Sequence, residues 1–277
     1  MRAWRLVAPA LIVMLAVTGW PLGRALYHSL FQYQFTAPDD AKFVLFDNYV
    51  ALATSPSWWK AFALILGLMT VAVVCQLVLG FGFANILRSV VHLGPVVRIL
   101  ILVPFAVMAF GSAFAWRDAI AGGYLNTWFH LGDFSDTSGG SLLTILLSEI
   151  WRGTGIVALI LFAGLQSAPT NLLESATADG AKSWQRFWRV VLPAVRPAAA
   201  IAIVYRAVDS FSMFDPVYAI VEPGSTSELW VPSTLIFDTA INRFELGLGS
   251  AMSIFLLLLS GILGNLFLKA FRIRRAV

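Results

Sequence analysis

Six stretches of this chain are long and apolar enough to cross a bilayer, about Trp4–Phe31, Trp59–Leu87, Val96–Ile120, Ser141–Ser167, Pro197–Val221 and Gly249–Phe271. A membrane helix needs roughly 20 consecutive mostly apolar residues, because water is absent from the bilayer core and every backbone polar group must bond within its own segment. The composition agrees: 12% of residues are charged and mean hydropathy is +0.80, whereas a soluble domain carries about 25% charged residues. The runs are continuous rather than alternating, which excludes a β-barrel. The expected fold is therefore an all-α integral membrane protein of six transmembrane helices, forming one transmembrane domain over residues 1–277. Arg2 and Arg5 before an apolar run also fit a signal peptide. That run is too long, however, and no small-x-small cleavage site precedes Pro21 and Arg24.

Charge asymmetry orients the spans. With both termini inside, the inner face collects Arg2, Arg5, Arg88, Arg98, Lys182, Arg186, Arg189, Arg196, Lys269, Arg272, Arg274 and Arg275. Acids dominate the other side: Asp39, Asp40, Asp47, Asp118, Asp133, Asp136, Glu222, Glu228, Asp238 and Glu245, against Glu174 and Asp179 within. The net charge of +4 is loop bias rather than a nucleic-acid patch. The lone cysteine, Cys75, rules out an internal disulfide, and His28, His92 and His130 lack the spacing of metal ligands.

The longest inner connection, about 168–196, has its own order. Pro169 can open a helix, Asn171 and Glu174 have capping-box spacing, and Gly180 can stop the helix in a left-handed conformation. Ser183 can cap a second short helix carrying Trp184, Phe187 and Trp188, which Pro193 is expected to end. One outcome is an amphipathic segment lying in the headgroups with Trp and Arg as anchors.

The spacing suggests another. Glu174-Ser175-Ala176-x-x-Asp179-Gly180, then nine residues, then Val190-x-Leu192-Pro193 resembles the signature of bacterial binding-protein-dependent ABC importer permeases, Glu-Ala-Ala-x-x-x-Gly-x9-Ile-x-Leu-Pro. Ser175 and Val190 are mild departures. Asp179-Gly180-Ala181-x-x-Trp184-x-x-Phe187, Arg206-x-x-Asp209-x-Phe211-x-x-Phe214-Asp215, Gly247-x-Gly249-Ser250-Ala251 and Asn48-Tyr49 are similar to segments of the maltose-permease-like sugar subgroup, in particular the permeases of actinobacterial trehalose importers.

The resemblance implies a type I importer permease fold, located in the bacterial cell membrane with both termini cytoplasmic, and no bond chemistry in this chain. Glu174, Ser175, Ala176, Asp179, Gly180, Trp184, Leu192 and Pro193 would form the coupling contact with a separate ATPase. The implied partners are an ATP-binding subunit dimer holding ATP and Mg, a second homologous permease, an extracytoplasmic substrate-binding lipoprotein docking on about Gln32–Trp58 and Glu222–Leu246, and membrane lipid. Gly180-Ala181-Lys182-Ser183 is not a phosphate loop, which needs Gly-x4-Gly-Lys-Ser/Thr after a strand.

Charges inside spans cost on the order of 2.5–3.5 kcal/mol each at a helix centre unless paired or facing a polar cavity. Glu149 with Arg152, and Arg206 with Asp209, are each three apart and can pair on one helical face. Either they form an interhelical ion lattice, or Arg206, Asp209, Phe211, Phe214 and Asp215 line the pathway, with aromatics stacking on sugar rings. Trp151 is a further pathway candidate and equally an interface anchor. Gly80, Gly82, Gly261 and Gly264 are expected to allow close helix packing. A gradient-driven secondary transporter is the rival class, although no internal repeat is evident and the basic loop would have no use there. An intramembrane enzyme finds no His-Glu-x-x-His or Gly-x-Ser-x-Gly motif here.

Overall fold

The computed structural model describes residues 2–89, 94–129, 137–167, 170–221 and 229–271. Among them five helices have the length and apolarity to span: Val7–Ser29, Pro56–Ser89, Ser138–Gln166, Ser183–Phe211 and Leu246–Ala270. A sixth is counted if the bent pair Pro95–Ala106 and Ala109–Phe129 is one span. The chain divides into two compact units, one of residues through Phe62 with Val231–Leu259, the other of Ala63–Trp230 with residues from Ser260 on.

In the first unit, α1 (Arg2–Met14), a π turn and α2 (Trp20–Ser29) form one continuous helix, and in its most apolar stretch no residue is buried among the described residues. An antiparallel hairpin follows, β1 (Phe31–Gln34) and β2 (Ala37–Phe43), which the sequence reading did not foresee. Asn48, on α3 (Asp47–Thr54), pins its base by donating to the carbonyls of Ser29 and Phe31 at 2.8 and 2.9 Å. Buried Leu52, Trp58 and Met252 form a small core, with Trp58 edge-on to Phe255.

The second unit is organised around α8 (Ser138–Gln166). Its neighbours are α4 (Pro56–Ser89), α5 (Gly94–Ala106), α6 (Ala109–Ala121), which the short α7 (Tyr124–Phe129) follows, α11 (Leu192–Phe211) and α12 (Asp215–Ile220). Lipid gives helices no hydrophobic reason to associate, so close approach at small residues carries the packing. A Cβ on Gly155 would lie 2.2 Å from the Ile101 carbonyl oxygen, and one on Gly80 would lie 2.8 Å from Val157. Among the described residues Gly82 and Gly261, expected to serve the same purpose, have nothing within 4 Å, and Gly264 meets only Val208 at ordinary distance.

Two spans depart from the sequence expectation. Val96–Ile120 is not one straight helix: α5 ends at Ala106 and the chain turns by 90° into α6. Pro104 removes one bond from the last turn of α5, and Met108 takes extended backbone (φ −56°, ψ 137°). Span five runs over Ser183–Phe211 rather than Pro197–Val221. Pro216 cannot donate to the Ser212 carbonyl and its ring would clash there, so the helix stops and α12 begins afresh at Asp215. Asp209 and Asp215, which the expected span Pro197–Val221 puts on one helix, therefore stand on two.

Candidate functional site

Two polar constructions stand out in the second unit. The first is an elbow. Its first arm is α9 (Thr170–Ala178); Pro169 and the side chain of Asn171 lie outside the described residues. Gly180 has φ +75°. Its N–H donates to the Thr177 carbonyl (3.1 Å) and that of Ala181 to the Ala176 carbonyl (2.9 Å), the paired 5→2 and 6→1 bonds of a Schellman turn. The expected glycine bend is present, and its need for glycine is conformational, because no atom of the described residues lies within 4 Å of where a Cβ would sit.

The second arm differs from expectation. Lys182, not Ser183, is the residue that opens α10 (Ser183–Arg186), and its backbone N–H is accepted by the Gln185 side chain at 2.8 Å. Pro193 does not end the arm. A π turn over Phe187–Val191 leads directly into α11, with Pro193 in its first turn. In a regular ladder the Pro193 ring would strike the Arg189 carbonyl; the wider turn just before it absorbs that conflict. The arm and span five are thus one continuous helical rod. Phe187 packs edge-on against Phe81 of α4 with ring centroids 5.2 Å apart.

Glu174, Ser175, Asp179, Trp184 and Pro193 are exposed, whereas Ala176 and Leu192 are half-buried. Trp184 is 69% exposed and edge-on to Trp188. Glu174 forms no ion pair among the described residues, although it shares with Arg88 and Arg186 an open cavity of about 580 Å³. Thr177, Ser183 and Phe187 also line it.

The second construction is a buried ion lattice joining α4, α8 and α11. Arg206 is 0% and Glu149 1% exposed, and they are ion-paired. Arg206 also pairs with Asp209, and its Nε donates to Gln76 Oε1 at 2.9 Å. Gln76 Nε2 donates to the Glu149 carbonyl at 2.8 Å, and Ser210 Oγ donates to Glu149 Oε1 at 3.0 Å. Arg152 completes the group, 3.4 Å from Glu149 and 3.8 Å from Asp209. Two cations thus face two anions. A Cβ on Gly153 would fall 2.3 Å from Gln76 Nε2 and 2.6 Å from an Arg206 guanidinium nitrogen, so this glycine makes room for the crossing.

The two i,i+3 pairs read from the sequence are joined into a single lattice by bonds between spans. Gln76, its third leg, was missed. A glutamine in the middle of an apolar run was the available signal. Of the other pathway candidates, Phe211 is 2% exposed and packed within the unit, Phe214 stacks on Tyr218 at 5.1 Å, and Asp215 is exposed at the start of α12. Trp151 is exposed on α8. Asp209 is the open edge of the lattice, its side chain 40% exposed.

Apolar spanning helices, a charge-neutral lattice between them and an ordered polar elbow at the start of one rod are the features of a multi-pass membrane protein. The chain belongs to the family of binding-protein-dependent transport system inner membrane components, whose model matches residues 83–276. It is 32% identical to the trehalose transport system permease protein SugA of Mycobacterium tuberculosis, over 97% of this chain and 88% of that protein. It is 30% identical to the trehalose/maltose transport system permease protein MalF of Thermococcus litoralis, over 98% and 93%. A solved bacterial alginate ABC transporter, in complex with an alginate pentasaccharide-bound periplasmic protein, shares the fold with a TM-score of 0.78 at 20% identity, covering 96% of this chain and 93% of that one. The type I importer permease fold is thereby shown, and the chain is a transporter subunit, not an enzyme.

Proposed function

We propose that this permease forms half of the translocation pathway of an ATP-driven sugar importer, for a disaccharide such as trehalose, and takes its motion through the elbow at 168–196. The observation that carries the reading is Glu174. It is an exposed acid without an ion pair among the described residues, held on an ordered arm that a turn with φ +75° joins to the rod of span five. A charge left open on an ordered arm is suited to a basic partner residue, and movement of the arm passes to α11 through the Gly180 turn.

ATP and Mg belong to a partner ATPase dimer in this reading. A second permease closes the pathway, and a binding lipoprotein delivers the sugar on the acidic outer side, where the hairpin at 31–43 lies. Both termini are cytoplasmic, in keeping with the arginine-rich inner loops. The names of the relatives support a sugar as cargo. Asp209 and Arg152, the partly open edge of the lattice, are suited to hydrogen-bonding sugar hydroxyls.

The test is purification of the complete complex with wild-type chain and with Glu174→Lys. The wild type is expected to bring down an ATPase and a second permease and to take up trehalose in proteoliposomes with ATP. The variant is expected to insert normally and lose coupled uptake. Uptake driven by an ion gradient alone would overturn the reading.

A further inference from the structure

Resting on the coupling reading, we infer that Arg186 is a positioning residue, a strut that fixes the angle of the elbow. The Schellman turn at Gly180 is a single backbone joint, and one joint leaves two arms free to swing about it. Arg186 supplies the second tie. From the second arm its Nη1 donates to Thr177 Oγ1 on the first arm at 2.6 Å, while Nη2 donates to Ser183 Oγ at 3.1 Å.

The placement of Thr177 matters. It lies three residues after Glu174, so the two share one face of α9 and line the same cavity. The strut therefore grips the first arm one turn from the acid offered to the partner. Next to Arg186 in sequence, Phe187 rests on Phe81 of α4. Backbone turn, guanidinium and arm segments close a triangle, and a triangle transmits displacement where a lone glycine joint would fold. A guanidinium suits the task better than an ammonium, because its planar fork serves two hydroxyls on different arms at once.

The experiment places nitroxide labels at Ala178 and Arg189, one on each arm and both outside the residues assigned to the ATPase contact, in a Cys75→Ser background. Their separation is measured by pulsed electron resonance in the complete transporter in nanodiscs, without nucleotide and after trapping with ATP, Mg and vanadate. The wild-type distribution is expected to be narrow, with one centre in both states, as for a body that moves without bending. Arg186→Ala and Thr177→Val should each broaden it at least twofold, the double variant no further, and Arg186→Lys should fall between. The ATPase should still co-purify with Arg186→Ala, with its stimulation by sugar-loaded binding protein reduced several-fold.

A narrow distribution in Arg186→Ala, additive broadening in the double variant, a wild-type distance that shifts on trapping, or undiminished stimulation overturns the strut. Failure of the coupling reading shows itself separately, as a wild-type chain that brings down no ATPase while the distance widths still report on the brace.

Discussion

Arg206 of α11 and Glu149 of α8, 57 residues apart in sequence, form an ion pair from which solvent is excluded on both sides. Two charges withdrawn from water are stable only when each answers the other and their remaining hydrogen-bonding groups are occupied. Here Gln76, Ser210 and Asp209 fill those positions. Arg206→Leu would leave Glu149 without its principal countercharge, and a loss of about 3–5 kcal/mol is expected. Removing both charges as Glu149→Leu with Arg206→Met should recover most of it. Thermal unfolding and monodisperse yield in detergent would distinguish the two; equal damage from both would mean the lattice does not hold the helices together.

Close packing on α8 predicts a contrast among glycines. Gly153→Ala places a methyl against Gln76 and Arg206, and Gly155→Ala drives one into the backbone carbonyl of Ile101, which has no flexible end to move aside. Each should cost on the order of 1–3 kcal/mol, the usual range for overpacking. Gly82→Ala, with open space around it, should be neutral or slightly stabilising through helix propensity. The three proteins differ by one methyl at small-residue positions, so a stability ranking in one detergent suffices.

Much of this was legible in the chain. Long apolar runs located four spans to within a few residues, because the bilayer demands length and apolarity, while Val96–Ile120 proved bent and Pro197–Val221 shifted. Gly180 was readable as a bend because only glycine takes a left-handed conformation without a Cβ penalty. Partners across spans were not readable: Arg206 could be matched to Asp209 by its spacing of three, but its contacts with Glu149 and Gln76 depend on how helices cross. The prolines misled in both directions. Pro193 reads as a terminator yet stands in the first turn of a rod, its conflict absorbed by the π turn before it, whereas Pro216 does break its span. The hairpin at 31–43 was hidden because Pro38, Asp39 and Asp40 disfavour a strand by composition.

Gly180→Ala should separate conformation from contact. With φ at +75° and no neighbour within 4 Å among the described residues, the methyl costs backbone strain, about 1–2 kcal/mol. Gly180→Asn, which tolerates the left-handed region, should cost less. Membrane insertion and the α8–α11 packing are expected to be unchanged. The observable is loss of ATP-driven uptake in the order Ala worse than Asn, with hydrogen exchange at the Ala181 amide rising in parallel as its bond to Ala176 opens.

Asp209 offers the sharpest division between lattice and pathway. Its carboxylate pairs with Arg206 and lies 3.8 Å from Arg152, yet its side chain is 40% exposed. Glu149, buried beside it, has no such opening. If Asp209 only balanced charge, Asp209→Asn would act through stability, lowering yield and uptake together. If it also receives sugar hydroxyls, the neutral amide keeps the shape, and much of the hydrogen bonding, but loses charge-assisted acceptance. The expected result is near-normal expression and assembly with an apparent KM for trehalose raised about tenfold, corresponding to roughly 1.4 kcal/mol. A KM at the wild-type value, with uptake reduced only in proportion to the protein recovered, would confine Asp209 to the lattice.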